Sequence, residues 1–407
     1  MTLALDSVLP ATQAMYRRIL DGVDAVRKLR HDIHAHPELA FEEFRTADRV
    51  ASELADLGIA VHRGLAGTGV VGVLQAGRSL RAIGLRADMD ALPIHEINHF
   101  DHASRYPGKM HACGHDGHTA MLLGAARYLA EHGDFDGTVY FIFQPAEEGS
   151  GGADVMIKDG LFERFPMQNV FGMHNWPGMA AGCFAVGSGP VMAAFSSFRI
   201  VICGRGCHAA LPHLGADPLP VAAQLVLALQ TIVSRNAHPL ESAVLSVTTI
   251  QAGTATNVIA DTCELTGTVR TFSQTMMSMI ETRMSELASH ICAAHAMRCD
   301  FEFTTGYPAT INEPAAAELA RQVMTGIVGD ERVLVQQPTM GAEDFAYMLQ
   351  RVPGCYVLIG SGDGEHRHTG HGEGPCTLHN ASYDFNDDIL ALGIAYWVRL
   401  VETALNR

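Results

Sequence analysis

Residues 119–144 read TAMLLGAARYLAEHGDFDGTVYFIFQ, a helix-like segment followed by a strand that is apolar almost throughout. In the first half, Thr119–Glu131, the apolar residues suit a helix. A turn rich in glycine and aspartate follows, and Thr138–Gln144 then suits a strand covered on both faces. Upstream lie two more strand-like runs, Gly69–Gln75 and Leu80–Arg86, with turn residues between them. Downstream lies another, Asn169–His174. Before them, residues 12–36 carry Met15, Ile19, Val23, Val26, Leu29 and Ile33 at helical spacing, and Pro37 ends the pattern. A second amphipathic stretch, Glu42–Leu57, stops at Gly58. Strands alternating with helices predict a three-layer α/β/α domain built on a mainly parallel sheet.

The middle of the chain changes character. Strand 195–203, helix 218–235, strands 243–252 and 261–272, helix 274–295 and strand 297–304 follow in turn. That order, β-α-β-β-α-β, is the ferredoxin-like unit, here an insertion of about 115 residues. Helices 313–327 and 342–350, strand Tyr356–Gly360 and a helix from Asp387 to Leu405 then resume the first domain. The expected division is 1–188 and 306–407 for the α/β domain and 189–305 for the α+β insertion.

Of 407 residues, 48% are hydrophobic and 18% charged, enough for a sizeable core and unlike a disordered chain. The net charge of −16 argues against a nucleic-acid partner and against anionic lipid. The N-terminus has no basic region before an apolar one, and no apolar run is long enough to span a bilayer. Nine cysteines without close spacing suit a reducing compartment, so a cytoplasmic location is expected. The 21 histidines are the compositional anomaly.

Three groups of residues carry chemistry, and they lie just beyond strands or at helix starts, where ligands of open α/β sheets gather. The first is His111-Ala112-Cys113-Gly114-His115-Asp116-Gly117-His118-Thr119. A thiol and three imidazoles in so short a space suit a borderline divalent metal; the alternative is a polar loop capping the next helix. The second, Gln144-Pro145-Ala146-Glu147-Glu148-Gly149, ends an apolar strand. Neighbouring carboxylates on extended backbone point opposite ways, so one can hold metal while the other faces water, unless both are simply solvated. The third is scattered: His174 at a strand end and His379 in Leu378-His379-Asn380. Alone, each suits a core or surface histidine equally well.

Together with Arg86-Ala87-Asp88-Met89-Asp90-Ala91-Leu92-Pro93, these motifs resemble, in order and over nearly the whole chain, one family of metallo-amidohydrolases. It includes hippurate hydrolases, N-acyl-amino acid amidohydrolases and the indole-acetyl-amino acid hydrolases of plants. The resemblance implies two divalent ions per subunit, zinc or manganese foremost, with cobalt or nickel as alternatives. It makes Cys113 the bridging ligand, with Glu148 and His379 completing one site and His115 and His174 the other. Glu147 matches the general base. Asp88 matches a residue that orients a ligand, or it is only a hydrogen bonder at a strand end. In the insertion, Gly204-Arg205-Gly206-Cys207-His208-Ala209-Ala210 resembles the glycine-rich motif whose histidine serves a partner subunit's site. The insertion would then be a lid and dimerisation domain, and the protein a homodimer or larger. This chain carries Cys207 where the family usually has glycine, which leaves the loop's shape open. Asn257 and Arg270 match positions that recognise a substrate carboxylate, although a strand arginine also suits a structural ion pair.

The substrate implied is a small N-acyl amino acid, split to a carboxylic acid and a free amino acid. Competing readings are a dipeptidase or carboxypeptidase with the same metals, a silent metal- or ligand-binding relative, and a thiol enzyme. The intact Glu147 opposes the silent relative, and the missing Cys-x-x-Cys opposes the thiol enzyme. Gly67-Thr68-Gly69 lacks the third glycine and the following helix of a dinucleotide fingerprint. His366, His368 and His371 fall in a Gly/His-rich segment, 361–380, expected to be a solvated loop.

Overall fold

Strand Ala82–Asp88 is buried along its whole length, and its alternation accounts for the layers around it. Ile83, Leu85 and Ala87 join the principal hydrophobic core. Gly84, Arg86 and Asp88 face the other way. There a Cβ at Gly84 would meet Met167 Sδ at 2.4 Å, and the Arg86 guanidinium lies 5.7 Å from the centre of the Phe345 ring. The computed structural model describes Leu3 and residues 5–407. They form two compact units, Met1–Val191 with Ile311–Gln337 and Asp344–Arg407, and Met192–Thr310 with Pro338–Glu343.

In the first unit eight strands form one sheet, in the order Ala60–Leu65, Gly69–Ala76, Gly137–Gln144, Ala82–Asp88, Asn169–Pro177, Gly354–Gly362, Phe184–Val186 and Val333–Val335. The four central strands are parallel, and antiparallel partners flank them on both sides. Asp88 and Gln144 are the last residues of two of these strands, side by side in register, so their carboxyl ends open at one edge. Helices Gln13–His34, His115–His132, Pro314–Val328 and Leu390–Ala404 pack around the core. A Cβ at Gly124 would lie 2.5 Å from Ile394, so glycine is what lets two of these helices approach.

Strands Ala60–Leu65, Phe184–Val186 and Val333–Val335 were not expected from the sequence, and two helices near the site differ from its reading. The helix expected from Thr119 begins at His115, after Gly114 at φ 94°, which puts His115 and His118 in its first turn and Cys113 just before it. The helix expected over 342–350 is reduced to Ala346–Leu349. Tertiary hydrogen bonds hold the residues before it: Gly341 O accepts from Ala193 N–H, and the Asp344 carboxylate accepts from Arg86, Gln144 and the Ala153 amide.

The second unit is a four-stranded antiparallel sheet, ordered Ala243–Ala252, Thr262–Thr271, Ala194–Cys203, Arg298–Thr305. Helices Pro218–Thr231 and Gln274–Ala294 share its core, which contains Ile200, Ile202, Leu225, Leu229, Ile280 and Met284. Asp217 and Ser273 cap these helices by accepting from Leu219 N–H and Met276 N–H. Strand order and connections are those of the ferredoxin-like unit.

The first unit also buries a charged network that joins its N- and C-terminal parts. Arg30, fully buried, donates to Asp387 at 2.9 Å, Asp384 at 3.0 Å and Asp116 at 3.3 Å. His34 Nδ1 lies 2.9 Å from Asp116, and its Nε2 lies 3.3 Å from Glu96. The segment expected to be solvated is tied to this network, with His371 Nε2 3.0 Å from Asp384 Oδ2 and His366 Nε2 3.2 Å from Asp384 O. Burial opposes a charge on His34, yet Asp116 and Glu96 outweigh it and push its pKa up to about 10. A group raised from 6.5 in this way contributes stability that is complete below about pH 6.5 and is lost as pH rises through about 10. His34→Gln is therefore expected to lower Tm most near neutral pH and progressively less toward pH 10. Thermal melts at both ends check this, and an equal deficit at each would contradict it.

Candidate active site

Three strand ends and the first turn of helix His115–His132 bring most of the sequence-read residues into one cluster. Cys113, His115 and His174 place one ligand atom each within 4.8 Å of one another, and so do Cys113, Glu148 and His379. The two triads share Cys113. Its Sγ lies 3.4 Å from His174 Nε2, roughly the separation of two ligands on one tetrahedral ion with bonds of about 2.0–2.3 Å. His379 Nε2 is 3.2 Å from Glu148 Oε1.

The hydrogen bonds fix which ring nitrogens face inward. His115 Nδ1 lies 2.9 Å from Asp90 O, and His174 Nδ1 lies 2.6 Å from Asn175 O. A carbonyl only accepts, so each ring in its neutral, ligating form carries its proton on Nδ1 and turns the Nε2 lone pair to the cluster. Among the described residues, His115 Nε2 and Glu148 Oε1 are buried without a hydrogen-bond partner, although Glu148 Oε1 has the His379 imidazole within ion-pair distance. Burial raises the Cys113 thiol well above its ordinary pKa, and Glu148, Glu147 and Asp88 raise it further. His115 is lowered by burial, but Asp88, Asp90 and Glu148 overcome this and bring it to about 10. Orphaned donors, a shared sulfur and an excess of negative charge fit divalent cations.

His118 is engaged at both nitrogens: Nδ1 lies 2.6 Å from Asp88 Oδ1, and Nε2 lies 2.7 Å from Asn175 Oδ1. Asp88 also accepts from Arg86 at 2.7 Å and lies 3.8 Å from His115 Nε2. The charges of His115, His118 and Arg86 hold it well below the usual carboxylate range, against burial. The third imidazole of the motif, His111, is buried, and desolvation brings it down to about 4.

Two residues of this cluster had no assigned role in the sequence reading. Asp90 accepts from Glu148 N–H at 2.9 Å and flanks His115 Nδ1 at 3.2 Å. Glu43, fully buried, accepts from Ala146 N–H at 2.9 Å and Thr68 Oγ1 at 2.6 Å. Asp90 had a signal, its place in Asp88-Met89-Asp90. Glu43 had none, because an acid in an amphipathic stretch reads as solvated.

In the second unit, strand Cys207–His208 pairs antiparallel with Val258–Ile259, and Ala209 N–H donates to Asn257 O at 3.0 Å. His208 and Asn257 are thus neighbours, and both are exposed. His208 Nδ1 accepts from Ala210 N–H at 3.0 Å, so a neutral ring carries its proton on Nε2. The Cys207 side chain lies over Gly215, where a Cβ would stand 2.4 Å from its sulfur, so the loop accommodates the substitution through a second glycine. Arg270, half-buried, donates to Met340 O at 2.8 Å and lies 4.9 Å from the Phe195 ring centre.

The sequence profile of peptidase family M20/M25/M40 matches residues 84–403. The chain belongs to this family. It is 39% identical over 383 residues to a hippurate hydrolase of Campylobacter jejuni, covering 94% of this chain and 97% of that one. Over 345 residues it is 41% identical to an N-acetyl-L-cysteine deacetylase of Bacillus subtilis, covering 83% and 80%. Among solved structures, it matches the Bacillus subtilis YXEP protein, described as a dinuclear metal binding peptidase of family M20. That match has a TM-score of 0.79 and 31% identity, covering 97% and 99%. Family and relatives make this chain a hydrolase acting on amide bonds. Among the described residues, no helix is long and apolar enough to cross a membrane.

Proposed function

We propose that the protein hydrolyses N-acyl amino acids of the hippurate type. Cys113 would be shared by two divalent ions, with His115 and His174 completing one site and Glu148 and His379 the other. The two triads meeting at Cys113 are the observation that carries this reading. Ions held there supply Lewis acidity, which makes water more acidic and an amide carbonyl more electrophilic. Glu147 takes a proton from the attacking water, whose oxygen bonds to the carbonyl carbon. It then passes that proton to the amide nitrogen as the C–N bond breaks. Asp90 orients the His115 imidazole through its Nδ1, and Asp88, bonded to His118 and Arg86, adds negative charge beside the His115 Nε2. The His208 Nε2–H, from a second subunit, donates to the carbonyl oxygen as negative charge develops there. Asn257 and the free edge of the Arg270 guanidinium receive the substrate carboxylate. This makes the functional unit at least a dimer, with the inserted unit as lid and interface.

Cobalt(II) titration of metal-free protein tests the centre. Sulfur-to-metal charge-transfer absorption is expected to saturate at two equivalents per chain and to vanish in Cys113→Ser. Saturation unaffected by Cys113→Ser would remove the thiolate from the site. A panel of benzoyl, acetyl, indole-acetyl and long-chain acyl amino acids, with dipeptides alongside, tests the substrate class. Turnover of dipeptides alone would replace the acyl-amino acid reading with a peptidase one.

A further inference from the structure

The turn carrying Glu147 is held in place by two buried carboxylates that come from elsewhere in the first unit. Ala146, just before Glu147, is fully buried and has φ 56°, in the left-handed region that non-glycine residues avoid. Its N–H donates to Glu43 Oε1 at 2.9 Å. Just after Glu147, the Glu148 N–H donates to Asp90 Oδ2 at 2.9 Å. The amides on either side of the proposed base are therefore both fixed by acids. Ala146 O accepts from Gly152 N–H at 2.9 Å, and a Cβ at Gly152 would fall 1.8 Å from Pro145 O, so the turn closes tightly on itself.

Glu43 does more than accept one amide. Its Oε1 also accepts from Phe41 N–H at 3.0 Å, and Phe41 has φ 62°. Its Oε2 accepts from Thr68 Oγ1, and Thr68 N–H donates to the carbonyl of Ala66, which has φ 50°. Two of the five left-handed non-glycine residues among those described, Phe41 and Ala146, thus donate their amides to one buried carboxylate, and a third, Ala66, is linked to it through Thr68. Left-handed alanine persists only where its surroundings over-determine it, and such strain concentrates where geometry matters to function.

We propose that Glu43 is a positioning residue for the general base. By holding Ala146 N–H it imposes the left-handed turn that aims Glu147, and it anchors that turn to the loops around Phe41 and Thr68. This rests on the reading of Glu147 as the base. Glutamine can replace Glu43 in this role, because its oxygen can accept both amides while its NH2 donates to the Thr68 hydroxyl. Alanine or methionine cannot.

The test measures kcat, KM, metal content and Tm for Glu43→Ala, Glu43→Met, Glu43→Gln and Glu43→Ala/Ala146→Gly. Glu43→Ala is expected to lower kcat roughly 10- to 100-fold at near-normal KM and metal content, since misplacement of a reacting group carries costs of that order. Glu43→Gln should restore most of the loss. Glycine adopts the left-handed region without strain, so Ala146→Gly should recover part of kcat in the Glu43→Ala background. A residue needed only for folding would lower Tm without that recovery. If Glu43→Ala does not fold, Glu43→Met carries the same test with less cavity. Unchanged kcat in the folded Ala or Met variant, or loss of metal in step with loss of activity, would overturn the proposal. Glu147→Gln measured in parallel separates the two ideas: if it stays active, the reading of the base fails, whereas if it is dead and Glu43→Ala is active, only the role of Glu43 fails.

Discussion

Glu147→Gln is expected to bind two divalent ions per chain and to lose about a thousandfold or more in kcat, at the upper part of the range for a proton-transfer group. Glutamine keeps the size and one acceptor of glutamate but cannot take a proton at neutral pH. Glu147 is 7% exposed, so bulk solvent cannot readily replace it. Its neighbour Glu148 presents the buried, unbonded Oε1 that fits a ligand. Geometry alone leaves a competitor, since a ligand atom of Glu147 also lies within 4.8 Å of those of His115 and Glu148. Metal analysis of the two glutamine variants separates the roles. If Glu147→Gln loses an ion while Glu148→Gln keeps both, the assignments are reversed.

His208→Ala is expected to lower kcat by about a hundred- to a thousandfold, the usual cost of removing an oxyanion donor, with metal content and Tm nearly unchanged. The side chain is exposed on a two-residue strand and takes no part in the core of its own unit, so its removal has little to unfold. The same exposure makes sense if a second copy covers it. Strand Ala243–Ala252 lies at the edge of the inserted sheet with Ile250 53% exposed, and an uncovered apolar edge invites pairing with a second copy. Mixing His208→Ala with Glu147→Gln tests the crossing. Each variant is nearly inactive alone, whereas a mixed dimer unites one intact Glu147 with one intact His208 at a single site and regains part of the activity. Demonstrated subunit exchange without regained activity would mean that His208 acts within its own chain or not in the reaction.

The sequence by itself determined whatever has a local period or a dense local motif. The apolar run Thr138–Gln144, the helical spacing from Met15 to Ile33 and the β-α-β-β-α-β order of the insertion all state their structure within a few residues, because burial on one face repeats every two or 3.6 positions. Cys113, His115, Glu147 and Glu148 stood out for the same reason: unusual donors packed closely along the chain. Only the tertiary structure decided what depends on partners far apart in sequence. Among these are the docking of His366 and His371 on Asp384, the loss of most of the helix over 342–350, and the hydrogen bonds of Glu43 and Asp90 to the Ala146 and Glu148 amides on either side of Glu147. Glu43 and Arg30 are the clearest cases, since a charge in an amphipathic helical stretch ordinarily faces solvent and each of these is buried. A hydrogen bond between residues a hundred positions apart leaves no periodic trace in the chain. A buried charge looks like an exposed one until the fold brings its counter-charges to it.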